Sequence, residues 1–149
     1  MKKVFLSTAI SDKIDDQGNI IPEFRDFIEK LLDGMRKADL DVNAAVEYDE
    51  WKLDRKAPPE LGIQKDIFAL DSADVVIALV NDRPSAGVQF EIGYAVAKGR
   101  HVILARPTDK QLAYFNQGVI GSGMVTLVSY DDTETLVSQL IVAINGPAQ

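Results

Sequence analysis

A chain of 149 residues is about the size of one domain and long enough to bury roughly two-thirds of the surface its unfolded form exposes. It is 46% hydrophobic and 26% charged, and 23 Asp and Glu against 16 Lys and Arg give a formal charge of −7, which disfavours nucleic-acid and anionic-membrane partners. With no Cys, a disulfide scaffold, a thiolate metal site and a cysteine nucleophile are excluded, and a single His (His101) argues against a His-based zinc site or a Ser-His-Asp triad.

The chain opens on Met1-Lys2-Lys3 and the apolar Val4-Phe5-Leu6, which Ser7 and Thr8 end at once. That run is too short for a signal peptide, and no later stretch approaches the roughly 20 apolar residues of a membrane helix, so a cytoplasmic protein is expected. Short continuous apolar runs follow at Val42–Val46, Val75–Val80, Val102–Ala105 and Met124–Val128. Together with Val4–Leu6 they are short, β-branched and not alternating, the pattern of strands buried on both faces. Between them lie helical periods at Pro22–Ala38, Pro59–Ala73, Val88–Gly99 and Asp109–Gly118, with a last one at Thr133–Ile144. In the first, Phe24, Phe27, Ile28, Leu31, Leu32 and Met35 recur at helical spacing, and Pro22 and Pro59 suit first-turn positions. Five β–α units with short connections predict an α/β protein, a flavodoxin-like three-layer sandwich whose five-stranded parallel sheet has the order 2-1-3-4-5. No linker or repeat interrupts the chain, so residues 1–149 are read as a single domain with a loose tail at Gly146–Gln149. Two long loops, Ser11–Ile21 and Glu47–Pro58, follow the first two strands and therefore lie at the carboxyl edge of the sheet, where ligands bind in such folds.

Two acids break the amphipathic pattern. On a helix over Pro59–Ala73, Asp66 falls three residues after Ile63 and four before Leu70, on their apolar stripe. A carboxylate there is costly unless it pairs with a buried donor or serves a site. The second is Glu91, in Ser85-Ala86-Gly87-Val88-Gln89-Phe90-Glu91-Ile92-Gly93-Tyr94-Ala95, placed near a helix start and beside its apolar side. There the macrodipole favours the ionised form, and Glu91 is either a nucleophile or a capping-box Glu satisfying its own helix. Gly87 suits a close backbone approach and Gly93 close helix–sheet packing. There is no GxGxxG and no GxxxxGK[ST], so no dinucleotide or P-loop cofactor is expected, and Asp12, Asp15 and Asp16 lack the spacing of a calcium loop.

Over Asp74–Arg106 the chain resembles the nucleoside 2-deoxyribosyltransferase family. The resemblance is carried by Ala73-Asp74-Val75-Val76-Ile77-Ala78, Gly87-Val88-Gln89-Phe90-Glu91-Ile92-Gly93-Tyr94-Ala95 and His101-Val102-Ile103-Leu104. The loop Pro84-Ser85-Ala86-Gly87-Val88 is most similar to the branch that hydrolyses nucleoside 5′-monophosphates, and Asp49-Glu50-Trp51 is similar to cytidylate N-glycosidases. The resemblance implies that Glu91 attacks the anomeric carbon and that Asp66 assists proton transfer to the departing base, in a retaining double displacement without cofactor or metal. It implies a nucleoside or nucleotide substrate and a homodimer or larger homo-oligomer, with Asn116 and Gln117 reaching across a subunit interface. Three positions depart from the family, one of them Ala113, where relatives use a Ser or Asn of the neighbouring subunit for the 5′ end. Phe5 stands where many members carry a Tyr that orients the nucleophile, and Ser11 where phosphate-specific members carry Arg, with Lys13 two residues on as a substitute.

Phe5 and Ser7 end the first strand and line either the sugar and base site or ordinary core. Trp51 either stacks on the base or anchors its loop. Ser85, followed by Gly87 at a helix start, either offers a hydroxyl and backbone N–H groups to a 5′-phosphate or simply caps the helix. Tyr94 packs between helices or at a subunit face, and Asp74 binds neighbouring backbone. The functions in contention are N-glycoside hydrolysis, base transfer through the same intermediate, and nucleotide binding without turnover. Two acids facing one sugar favour the enzymes.

Overall fold

The computed structural model describes residues 1–147. Five strands, β1 (Lys3–Ser7), β2 (Asp41–Ala44), β3 (Val75–Leu79), β4 (His101–Pro107) and β5 (Thr126–Tyr130), form one parallel sheet in the order β2-β1-β3-β4-β5. Helices α1 (Pro22–Lys37) and α6 (Thr133–Asn145) cover one face; α3 (Pro59–Ser72), α4 (Ala86–Ala97) and α5 (Tyr114–Gly121) cover the other. A single helical turn, α2 (Ala45–Tyr48), leads directly out of β2. This is the flavodoxin-like fold expected, with Pro22 and Pro59 each in the first turn of its helix.

Strand alternation sorts the core into two layers. Val4, Leu6, Val42, Ala44, Val75 and Ile77 pack under α1 and α6, whereas Phe5, Val76, Ala78, Val102 and Leu104 pack under α3 and α4. Residues of odd number in β1 therefore face α3 and α4, and this parity puts Ser7 on the same side as Glu91.

Some boundaries differ from expectation. The apolar run Val42–Val46 is not one strand: the chain turns into α2 at Ala45, where alanine suits a helix. The helix expected from Asp109 begins only at Tyr114, because Thr108 and Lys110 are held in a turn by bonds to Tyr130 O and Pro107 O. Gly93 is exposed with open space where a Cβ would stand, so it does not serve close helix–sheet packing.

The two long loops are joined to each other. Ile20 N donates to Trp51 O at 3.0 Å, Leu53 N donates to Gly18 O at 2.8 Å, and Asn19 forms an antiparallel bridge with Lys52. Gly18 has φ +82°, and a Cβ there would lie 2.6 Å from Leu53 O, so both the turn and the close approach require glycine.

Candidate active site

A cavity of about 450 Å³ opens at the carboxyl edge of the sheet, between the end of β1, the end of α2, α3 and the start of α4. Larger hollows exist on the α3 face beside β2 and between the two long loops, but neither contains both buried acids. The edge cavity does: Glu91 and Asp66 both line it, with Phe5, Ser7, Ser85 and Gly87. Six residues singled out from the sequence thus converge on one space.

Glu91 is the sixth residue of α4, in its second turn, and only 8% exposed. It occupies a position of the helix's buried stripe, with Val88, Ile92 and Ala95. The capping-box alternative fails on register. Ser85 is the N-cap, its hydroxyl oxygen accepts from Val88 N at 3.5 Å, and the reciprocal position is therefore Val88. The dipole argument also needs correction. At the second turn its effect has faded, and burial instead pushes the Glu91 carboxyl up to about 7. The Ser7 hydroxyl, which donates to Glu91 Oε2, works against that rise, and the negative charge of Asp66 adds to it.

Asp66 is half-buried in the third turn of α3. Burial first, and the charge of Asp49 second, raise its carboxyl to about 6 against the opposing charge of Lys65. Its stripe is not the core stripe expected, since Ile63 is exposed and Leu70 is the buried residue of α3. Asp66 sits where that helix leaves the core and reaches the cavity mouth. Two adjacent carboxyls raised into the neutral range titrate as a coupled pair that carries one proton near pH 6–7.

Trp51 is not among the cavity's lining residues. Its ring lies 4.9 Å below the Arg25 guanidinium and packs against the α1–α6 core, so it anchors the joined loops. The aromatic side chains on the cavity are Phe5 and Tyr48. Tyr48 and, from α3, Lys65 are wall residues the sequence did not mark; Asp49, marked only through the likeness of Asp49-Glu50-Trp51, joins them, with Lys65 Nζ 3.2 Å from Asp49 Oδ1. After Tyr48 and Asp49 the chain turns through Glu50 and Trp51 at φ 52° and 60°, a left-handed pair that no Gly or Asn announces.

The walls facing the start of α4 are of another kind. Ser85, Ala86, Gly87 and Val88 bring the first turn of a 12-residue helix to the cavity, which Ser11 also lines. Lys13 does not reach it: its ammonium is 3.8 Å from Asp12 and lies over the Phe24 ring. Asn116 is 1% exposed, and the exposed Gln117 donates to Leu112 O. Tyr94 packs between helices, donating to Asp71, and Asp74 accepts from Lys3 N. Among the described residues, no three His, Asp or Glu side chains converge as metal ligands would, and no helix is long and apolar enough to cross a membrane.

Comparison with known proteins bears on the family and the fold. The family model described as nucleoside 2-deoxyribosyltransferase matches residues 22–137. A protein of Thermofilum pendens, named as a candidate 2′-deoxynucleoside 5′-phosphate N-hydrolase, is 28% identical over 116 residues, 76% of this chain and 80% of that protein. The CMP N-glycosidase BcmB of Clostridium botulinum superposes with a TM-score of 0.68 at 23% identity over 95% of this chain and 99% of that one. The solution structure of BlsM gives 0.76 at 21% identity, covering 99% and 96%. The 2-deoxyribosyltransferase of Bacillus psychrosaccharolyticus gives 0.64 at 16%, covering 91% and 90%. At these identities the structural likeness establishes a shared fold.

Proposed function

The chain belongs to the nucleoside 2-deoxyribosyltransferase family, and on that premise we propose that it cleaves the N-glycosidic bond of a nucleoside 5′-monophosphate or nucleoside, releasing the free base to water. The observation that carries the reading is Glu91: a carboxylate held in the buried stripe of α4 and turned into a cavity that also holds Asp66. In the first step a Glu91 oxygen bonds to the anomeric carbon while the bond from that carbon to the base breaks. The electron pair leaves on the base nitrogen, and the base takes a proton from Asp66. In the second step water attacks the same carbon, Glu91 departs as carboxylate, and the proton of water returns to Asp66. The oxocarbenium-like transition state is positive, so an ionised Glu91 stabilises it more than the neutral ground state.

The reactive form needs Glu91 ionised and Asp66 protonated. With Glu91 raised to about 7 and Asp66 to about 6, the one proton of the pair rests more on Glu91, so this form is the minor share of the singly protonated pair. A bell-shaped profile with its maximum in or near the window between those values is expected.

Hydrolysis of a 5′-phosphorylated substrate is favoured over base transfer. The relative from Thermofilum pendens carries that description, and the Ser85 hydroxyl with the first backbone N–H groups of α4 forms an anion-compatible wall. A homodimer or larger assembly belongs to the same proposal. Phe68 is 76% exposed on α3, and Leu61, Ile63 and Phe90 are exposed on α3 and α4, apolar side chains that a second copy would cover. Light scattering on the purified chain reads the assembly directly.

The function is tested by base release from ribo- and deoxyribonucleosides and their 5′-monophosphates, with and without an acceptor base, for the wild type and Glu91→Ala. Release that is fastest from a monophosphate and vanishes in Glu91→Ala is the expected result. New nucleoside formed only with an acceptor would make the protein a transferase. No release from any substrate that binds would make it a binding module.

A further inference from the structure

We infer that Ser7 is a positioning residue for Glu91: its buried hydroxyl fixes Oε2, leaving Oε1 to meet the sugar, and keeps the carboxylate ionised in an apolar setting. The inference rests on the glycosidase reading for its kinetic consequence and on geometry alone for the coupling between the two side chains.

Ser7 is the last residue of β1 and is 1% exposed. A hydroxyl so deeply buried must find an acceptor, because leaving it unpaired costs the full desolvation of the group. The acceptor it finds is Glu91 Oε2. Apolar groups flank this contact: Phe5 lies two residues back on the same face of β1, and Val88 lies one turn before Glu91 on α4. The sheet register leaves no slack, since Ser7 is paired with Ala78 of β3 and its neighbours Leu6 and Phe5 with Ile77 and Val76. A donor fixed to a rigid strand therefore holds a carboxylate fixed to a rigid helix.

Chemistry makes this more than packing. A carboxylate in the second turn of α4 receives little from the helix dipole, and the groups around it are hostile to charge. The titratable side chains lining the cavity besides Glu91 are Asp66 and Lys65 from α3 and Tyr48 and Asp49 at the end of α2. Of these, Asp66 acts on Glu91 directly and opposes its ionisation. Lys65 is paired with Asp49. The Ser7 hydroxyl is thus the group in contact with Glu91 that favours the charged, nucleophilic form. Ser7 had been expected to touch substrate; with Oε2 as its partner, it acts through Glu91.

Two readings on the full-length protein test this. In base release, Ser7→Ala is expected to lower kcat about 10- to 100-fold with KM within about threefold of wild type. The limb of the pH profile that follows Glu91 should move up by roughly one unit, because the ionised form has lost its donor. Independently of turnover, the Glu91 side-chain carboxyl is titrated by carbon NMR in wild type and Ser7→Ala, where the same upward displacement is expected. If Ser7→Ala does not fold, Ser7→Cys, close in volume and a weaker donor, takes its place with a smaller upward displacement expected. A Glu91 titration that stays put overturns the inference. A displaced titration in a protein that releases no base from any substrate sinks the glycosidase reading and leaves the coupling standing.

Discussion

Helices α1 and α4 bury the same pattern and differ at one position. In α1 the residues that face the core are Ile28, Leu31, Leu32 and Met35; in α4 they are Val88, Glu91, Ile92 and Ala95. Both sets follow the spacing i, i+3, i+4, i+7, and both helices lie against the same sheet from opposite sides. The fold is therefore satisfied by four apolar residues at these positions, as α1 demonstrates. Where α1 has Leu31, α4 has a carboxylate whose ionisation burial opposes. A group that the architecture does not need and that is costly to keep marks the side of the sheet where chemistry is done.

Substituting the two matched positions should separate fold from function most sharply. Leu31→Ala is expected to cost about 2–5 kcal/mol at any pH, through the cavity it leaves. Glu91→Gln should abolish base release, a loss of more than about 10³-fold, and yet stabilise the protein. The sign follows from the raised carboxyl. Its folded-state value of about 7 lies above the ordinary 4.5, so wild-type stability is fully present below the latter and is lost as pH rises through the former. Glu91→Gln removes that loss, so thermal unfolding at pH 8 should show a gain of roughly 3 kcal/mol that fades towards pH 4.

Asp66→Asn comes next in size. Removing the proposed proton donor should slow base release by about 10²-fold and abolish the fall at high pH, leaving a single rise that follows ionisation of Glu91. Gly18→Ala should follow with an increase of several-fold in KM. The added Cβ would press on Leu53 O, release the tie between the two long loops and loosen Leu53, which lines the cavity. Hydrogen exchange at the amides of Ile20 and Leu53 reads the same loosening without substrate. Trp51→Phe should have the smallest effect, less than about twofold on KM, because the ring packs against the α1–α6 core outside the cavity. A large KM effect from that variant would return Trp51 to base recognition.

The layered fold was legible because parallel strands buried on both faces have to be continuous apolar runs, and Val75–Val80 and Val102–Ala105 have no other use. Glu91 and Asp66 were legible as acids out of place, although the reasons differ from those read in the sequence. Glu91 is set by burial in a second turn and not by a helix start, and Asp66 by the end of the buried stripe and not by its middle. What stayed hidden depends on the path of the chain between elements. Tyr48 and Asp49 reach the cavity because β2 breaks at Ala45, and the backbone then turns through two left-handed residues, Glu50 and Trp51. Neither residue type announces that conformation. Trp51 was expected at the substrate for the sound reason that its loop lies at the right edge, but the same turn sends its side chain to the opposite face of the sheet.

The central claim is that Glu91 forms a bond to the sugar. The most direct measurement is mass spectrometry of the protein after incubation with a 2′-fluoro-2′-deoxy nucleoside 5′-monophosphate, whose fluorine slows breakdown of a glycosyl intermediate. The account predicts a mass gain of one sugar phosphate, located by proteolysis on the α4 peptide at Glu91 and missing in Glu91→Gln. Base release from the analogue with no adduct, or an adduct on any other residue, would contradict it.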